Sequence, residues 1–89
     1  MSHVIRTEHS NGVIQLSLNN GGGNALSSPV LEDLYNALSN LDGARALVLD
    51  GGSAKLFSGG FDLTEIVGYE REQLASFFGR FMQILDRIL

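Results

Sequence analysis

Apolar and polar residues alternate over Val13–Leu18: Ile14, Leu16 and Leu18 fall on one face, Val13, Gln15 and Ser17 on the other. A period of two reads as a strand with one covered face. Val4 to His9 reads as a shorter strand, and the Ser10-Asn11-Gly12 between them is a strong hairpin signal. The period then changes. Val30, Leu31, Leu34, Ala37, Leu38 and Leu41 recur three and four apart, which predicts a helix with one buried stripe. Ser28-Pro29 opens that helix, with Ser at the N-cap and Pro at the first helical position. Glu32 and Asp33 fall in its first turn, where the dipole favours acids, and Asp42-Gly43 stops it. Ala44 to Asp50 is a third strand whose near-continuous apolar centre suits cover on both faces. A short helical stretch runs from Asp62 to Val67. From about Glu70 to Leu89, Leu74, Phe77, Phe78, Phe81, Met82, Leu85, Ile88 and Leu89 make a second, wider stripe. The order strand, strand, helix, strand, glycine turn, helix predicts an α/β chain with a crossover, right-handed where its strands are parallel.

The last stripe carries three of the five phenylalanines, more apolar surface than the rest of the chain offers to cover. It reads as core or subunit interface rather than a cofactor box. No Gly, Asn or Pro stop follows it. The expectation is a piece of a longer protein, or a chain that leans on other chains.

Two glycine-rich stretches carry the candidate chemistry. Phe57-Ser58-Gly59-Gly60-Phe61-Asp62-Leu63 joins the third strand to the short helix. Glycine lets backbone turn sharply and approach a ligand closely. Amides at a helix start lack intrahelical partners and lie at the positive end of the dipole, which suits an oxygen gaining negative charge. The Phe61 N–H is the candidate donor; a plain glycine turn is the other reading. Asn19-Asn20-Gly21-Gly22-Gly23-Asn24 either lets backbone approach a ligand or is a flexible connector, and the Asn24 amide could tie it to neighbouring backbone. Asp62 is placed to cap the short helix. Glu65 reads as a surface residue. Lys55 could meet a ligand phosphate but reads as a solvated lysine. His3 and His9 read as ordinary residues of an edge strand.

Composition narrows the classes. An 89-residue chain is one small domain at most, or part of one. It buries roughly 60–65% of its unfolded surface, which leaves a thin margin of stability. A hydrophobic content of 44% excludes a disordered chain. No cysteine is present, so thiol and disulfide chemistry are excluded. The net charge of −4 argues against nucleic-acid binding. No apolar run approaches a membrane span, and the N-terminus has no apolar signal core, so a cytoplasmic protein is expected. There is no metal-ligand set, no paired-carboxylate motif, no P-loop and no Gly-x-Ser-x-Gly elbow, and Ser58 has no identifiable base.

Asn24-Ala25-Leu26, then the amphipathic helix, then Ala46-Leu47-Val48-Leu49 and Phe57 to Ile66, in that order and spacing, resemble the N-terminal part of the enoyl-CoA hydratase/isomerase (crotonase) superfamily. The resemblance covers essentially the whole chain. It implies an α/β, crotonase-like ββα spiral of which residues 1–89 form the N-terminal portion, with Ala44–Leu63 as strand and oxyanion turn and 70–89 as amphipathic helix. It implies an acyl-CoA thioester as substrate, coenzyme A being part of the substrate rather than a separate cofactor, and homo-trimers or hexamers. The family polarises the thioester carbonyl with two backbone amides, and one falls on Phe61. The backbone of Gly22, Gly23, Ser58, Gly60, Phe61, Asp62 and Leu63 matches where the family holds coenzyme A. The second amide and the acidic catalytic residues of the hydratases lie downstream. Phe61 is bulky where many hydratases carry Ala, so its side chain is expected to alter the acyl pocket. Gly21-Gly22-Gly23 replaces ordinary side chains, so contacts there are expected from backbone only. The other function this pattern allows is a non-catalytic module for coenzyme A binding or oligomerisation.

Overall fold

The computed structural model describes residues 3–54 and 56–88, so the readings made for Lys55 and Leu89 lie outside the described residues. Three strands form one sheet in the order β1-β2-β3: β1 is Val4–Glu8, β2 Val13–Leu18 and β3 Ala46–Asp50. β1 and β2 are antiparallel, with Val4 opposite Leu18 and Glu8 opposite Ile14. β2 and β3 are parallel, with Ile14 beside Leu47 and Ser17 beside Asp50. The connection between them is helix α1, Ser28–Leu38. A one-turn helix α2, Leu63–Ile66, and a long helix α3, Arg71–Ile88, follow.

The period-two face predicted for β2 is the buried one: Ile14, Leu16 and Leu18 join Val4 beneath Val30, Leu31, Leu34 and Leu38 of α1. α3 lies on α1 and closes the core with Phe77 and Ile84. Its polar side grips the same helix. Arg80 pairs with Glu32 at 2.9 Å and stacks over the Tyr35 ring at 4.0 Å, and Arg87 donates to Ser39 Oγ and the Tyr35 hydroxyl. These contacts are partly exposed, so each is worth a few tenths to about 1 kcal/mol and they fix orientation more than they stabilise.

Several element ends differ from the sequence reading. α1 begins one residue earlier, with Ser27 as N-cap, which puts Glu32 and Asp33 beyond the first turn. Their charge serves tertiary contacts instead: Glu32 with Arg80, and Asp33 accepting the His3 N–H at 2.8 Å. α1 also ends at Leu38, short of Asp42-Gly43, because Ser39 Oγ and Asn40 Nδ2 bond back to the carbonyls of Tyr35 and Asn36 four residues earlier. β3 starts at Ala46 and is an edge strand. Leu47 and Leu49 pack on the core, but Ala46 and Val48 are exposed rather than covered. Continuous apolarity marks a strand that can be covered on both faces, and within this chain only one face has a partner. His3 and His9 flank β1 rather than belonging to it.

Candidate functional site

The turn after β3 is built by backbone that has no room for side chains. A Cβ on Gly51 would stand 2.2 Å from the Leu56 carbonyl oxygen, so the chain folds back on the strand end only with glycine there. Gly60 has φ +102, a conformation that L side chains rarely adopt. Between these two points Asn24 acts as the joint. It is 1% exposed. Its Nδ2 donates to the carbonyls of Gly51 and Phe57 at 2.9 and 3.0 Å, and its Oδ1 accepts the Asn20 N–H at 2.9 Å. The amide role expected of Asn24 is thus present, and it binds both glycine-rich stretches together. Gly59 N–H adds a bond to Gly23 O at 2.7 Å, and Ser58 Oγ donates to Asn24 O while accepting from Gly60 N–H. Ser58 is therefore occupied in shaping the turn.

Phe61 sits where the turn meets the chain ahead of α1. Leu26 and Phe61 form a single parallel bridge: Leu26 N–H donates to Gly60 O at 2.8 Å, and Asp62 N–H to Leu26 O at 3.1 Å. The bonds use the residues on either side of Phe61, so its own N–H lies on the other edge of the strand. It makes no hydrogen bond among the described residues. From the sequence, this free amide is expected at a helix start. In the structure Phe61 precedes the N-cap Asp62 of a four-residue helix, and the amide is free because the bridge is one-sided. The Phe61 ring packs edge-on against Phe77, Phe78 and Phe81, with centroids 5.7, 5.1 and 5.0 Å away. The bulk expected to alter an acyl pocket is taken up by α3, at about 0.5–1.5 kcal/mol per aromatic pair.

The remaining candidates divide into two groups. Gly22 lines a cavity of 290 Å³ with Leu18, Asn19, Gly21, Gly51 and Ser53. A Cβ on Gly22 or Gly23 would meet nothing within 4 Å. Ser58 and Gly60 border a separate, apolar cavity of 340 Å³ between β3, α1 and α3. Asp62 is engaged throughout: its N–H goes to Leu26, its Oδ1 accepts from Glu65 N–H and its carbonyl from Ile66 N–H. The Leu63 side chain is 69% exposed. Among the described residues no group of acidic or histidine side chains could hold a metal, and no helix is long and apolar enough to cross a membrane.

Glu65 is the residue the sequence reading undervalued. Its carboxylate accepts the Ser28 N–H at 3.1 and 3.2 Å, the Ser28 hydroxyl at 2.9 Å and the Tyr69 hydroxyl. Asp62-x-x-Glu65 is a capping-box spacing, which would have flagged it but sent its carboxylate back to the Asp62 N–H. That N–H is already bonded to Leu26, so Glu65 caps α1 instead, whose N-cap Ser27 makes no side-chain bond. Burial pushes the Glu65 carboxyl up, but the hydroxyls of Tyr69 and Ser28 and the Ser28 amide outweigh it, and the group titrates below its ordinary 4.5. The hydrogen bond to Glu65, partly countered by Ser28, holds the Tyr69 hydroxyl above its ordinary 10.0. A depressed carboxyl contributes stability that is present above its unfolded pKa and lost as pH falls through the folded value. A raised phenol contributes below 10.0 and loses that contribution as pH rises through its folded value. The contact should therefore be flat between pH 6 and 9 and fail only in acid below 4.5 or in alkali. Following the Ser28 amide and the Glu65 side-chain carboxyl by NMR across that range checks it; a Ser28 midpoint near 6 would contradict it.

The sequence model of the enoyl-CoA hydratase/isomerase family matches residues 8–89. Among solved structures, an enoyl-CoA hydratase from Mycobacterium smegmatis is 31% identical over 99% of this chain and 36% of its own, with a TM-score of 0.89. An enoyl-CoA hydratase from Bacillus anthracis is 27% identical over 97% of this chain and 35% of its own, with a TM-score of 0.84. The human mitochondrial delta3-delta2-enoyl-CoA isomerase is 26% identical over 93% of this chain and 34% of its own, with a TM-score of 0.83. The chain thus spans about a third of the length of the structures it matches. A search of the curated proteins finds no match.

Proposed function

This chain belongs to the enoyl-CoA hydratase/isomerase family, and from that premise we propose that it is the N-terminal part of an acyl-CoA-processing enzyme in which the Phe61 N–H is one of two backbone donors to the thioester oxygen. Removing the α-proton of an acyl thioester, or adding the oxygen of water to the β-carbon of its α,β-unsaturated form, shifts an electron pair towards the carbonyl oxygen and gives an enolate-like state. A fixed amide aimed at that oxygen favours the charged state over the neutral thioester, by about 3 kcal/mol per donor in comparable sites. The observation that carries this reading is a main-chain donor without a partner among the described residues, while the N–H groups on both sides of it are bonded. The second donor and the acid or base that moves the proton are assigned to the protein beyond residue 89, in an assembly of three or six chains. Hydratase and isomerase both occur among the similar structures, and both reactions call for the same carbonyl polarisation, so this stretch serves either.

We assign coenzyme A to the backbone of Gly22 and Gly23, where a Cβ would meet nothing within 4 Å, and to that of Ser58 and Gly60, which border the separate apolar cavity. Calorimetry with butyryl-CoA, free coenzyme A and butyrate tests this. Butyryl-CoA is expected to bind and butyrate is not. Gly22→Ala puts a methyl group into open space, so stability should be unchanged while affinity for the CoA ligands falls about tenfold, ~1.4 kcal/mol. Undiminished affinity in Gly22→Ala would remove that loop from the site, and absence of butyryl-CoA binding to the wild type would refute the reading as a whole.

A further inference from the structure

We propose that Glu65 is a positioning residue, whose carboxylate fastens the turn carrying Phe61 to the first amide of α1 and so sets the direction of the Phe61 N–H. The proposal rests on the reading of Phe61 as the thioester donor.

The turn is held to the chain before α1 through one segment, residues 23–26: Gly23 and Asn24 bond Phe57, Ser58 and Gly59, and beside Phe61 itself the two bonds are those that Leu26 makes to Gly60 and Asp62. A segment held along one edge can roll about that edge, and rolling swings the free N–H on the opposite edge. Glu65 supplies a point off that line. Its backbone is fixed to Asp62, because Glu65 N–H donates to Asp62 Oδ1 at 3.2 Å. Its carboxylate reaches Ser28, two residues beyond Leu26 on the facing segment, through both the amide and the hydroxyl. The Tyr69 hydroxyl, from the far side of α2, meets both Glu65 and Ser28 Oγ, the latter at 2.7 Å. Leu26, Ser28, Asp62 and Glu65 thus close a frame around Phe61, with the Phe61 ring anchored separately on α3. Ionic hydrogen bonds of this kind are roughly twice as strong as neutral ones, which suits a contact that must resist rolling. Capping α1 alone would not require the acid to come from α2; a Ser27 side chain could serve.

The test reads the Phe61 amide itself. Gly60-Phe61 is the one Gly-Phe pair in the 89 residues, so carbonyl-¹³C glycine with ¹⁵N phenylalanine isolates its N–H signal within this stretch. In Glu65→Ala the Phe61 amide should shift and broaden at least threefold more than the amides of Phe77, Phe78 and Phe81, which report on α3. Glu65→Gln should restore most of the wild-type signal, since an amide can still accept from Ser28. A Phe61 amide that moves no more than the α3 amides in Glu65→Ala overturns the proposal. Should Glu65→Ala lose its fold, Tyr69→Phe decides: it keeps the carboxylate and Ser28, a smaller displacement of Phe61 in excess of α3 supports the frame, and none overturns it. Adding butyryl-CoA to the wild type separates the two levels. A Phe61 amide that responds supports its role as donor; one that stays still refutes that role, and the catalytic meaning of Glu65 with it, whatever the variants show about the frame.

Discussion

In the acyl-CoA-processing enzyme proposed above, replacing the Gly60–Phe61 amide by an ester is expected to lower kcat by about 10²–10³-fold with little change in KM. The substitution deletes the Phe61 N–H and keeps its ring, so the packing on Phe77, Phe78 and Phe81 is untouched. That N–H has no partner among the described residues, so its loss removes no bond that holds the fold. One side effect is calculable in direction. An ester carbonyl is a weaker acceptor, and Gly60 O receives the Leu26 N–H, so stability should drop by up to about 1 kcal/mol. The matched control is an ester between Phe61 and Asp62. It deletes the Asp62 N–H, which bonds to Leu26 O, and leaves the Phe61 N–H in place. The two variants should separate in rate: the first loses kcat, whereas the second, which loses at least as much stability, about 1 kcal/mol, nearly retains it. Equal loss of kcat in both, or full kcat in the first, would end the role assigned to Phe61.

Most of the scaffold around that amide was legible because it rests on periodicity. Ile14, Leu16 and Leu18 lie two apart, Val30, Leu31 and Leu34 three and four apart, and each set is buried as its period requires. The turn was legible because few residues other than glycine satisfy a φ of +102 at Gly60 or the space at Gly51. What was not legible depends on partners far along the chain. Ser28 looked like a cap because Ser before Pro usually is one, and the acid that serves α1 comes from 37 residues away. Glu65 looked like surface because a lone carboxylate in a short helix carries no sign of what it meets. The cover of β3 was misjudged for the same kind of reason: apolarity states what a strand tolerates on each face, not whether a neighbour is there. The Phe61 ring, read only against small residues in similar proteins, gave no hint that α3 presents three phenylalanines to receive it.

Asn24 is where sequence pattern and site geometry meet, and its replacement should cost the most stability of any polar residue here. In Asn24→Ala the carbonyls of Gly51 and Phe57 lose their donor and the Asn20 N–H its acceptor. Each of these part-buried groups left unpaired costs about 1 kcal/mol, the low end of the range for buried groups, and Asn24 has φ 44, which Ala tolerates less well. A loss of roughly 3 kcal/mol or more is expected, against a total of about 5–15 kcal/mol for a typical native protein. Asn24→Asp keeps shape and tolerates the same φ, yet at pH 7 it should be worse than Asn24→Ala. It sets a carboxylate oxygen against two carbonyl oxygens and buries the charge. The introduced carboxyl must then have a folded pKa above its unfolded value near 3.9. A raised pKa contributes stability fully below the unfolded value and loses it as pH rises through the folded one. Protonated, the group can again donate to one of the two carbonyls. Urea unfolding of both variants from pH 4 to pH 8 should therefore show Asn24→Asp gaining on Asn24→Ala as pH falls, and the comparison between them cancels the titration of Glu65. A difference that stays constant with pH would mean that the Asn24 side chain does not hold Gly51 and Phe57 together, and the turn that presents Phe61 would need another anchor.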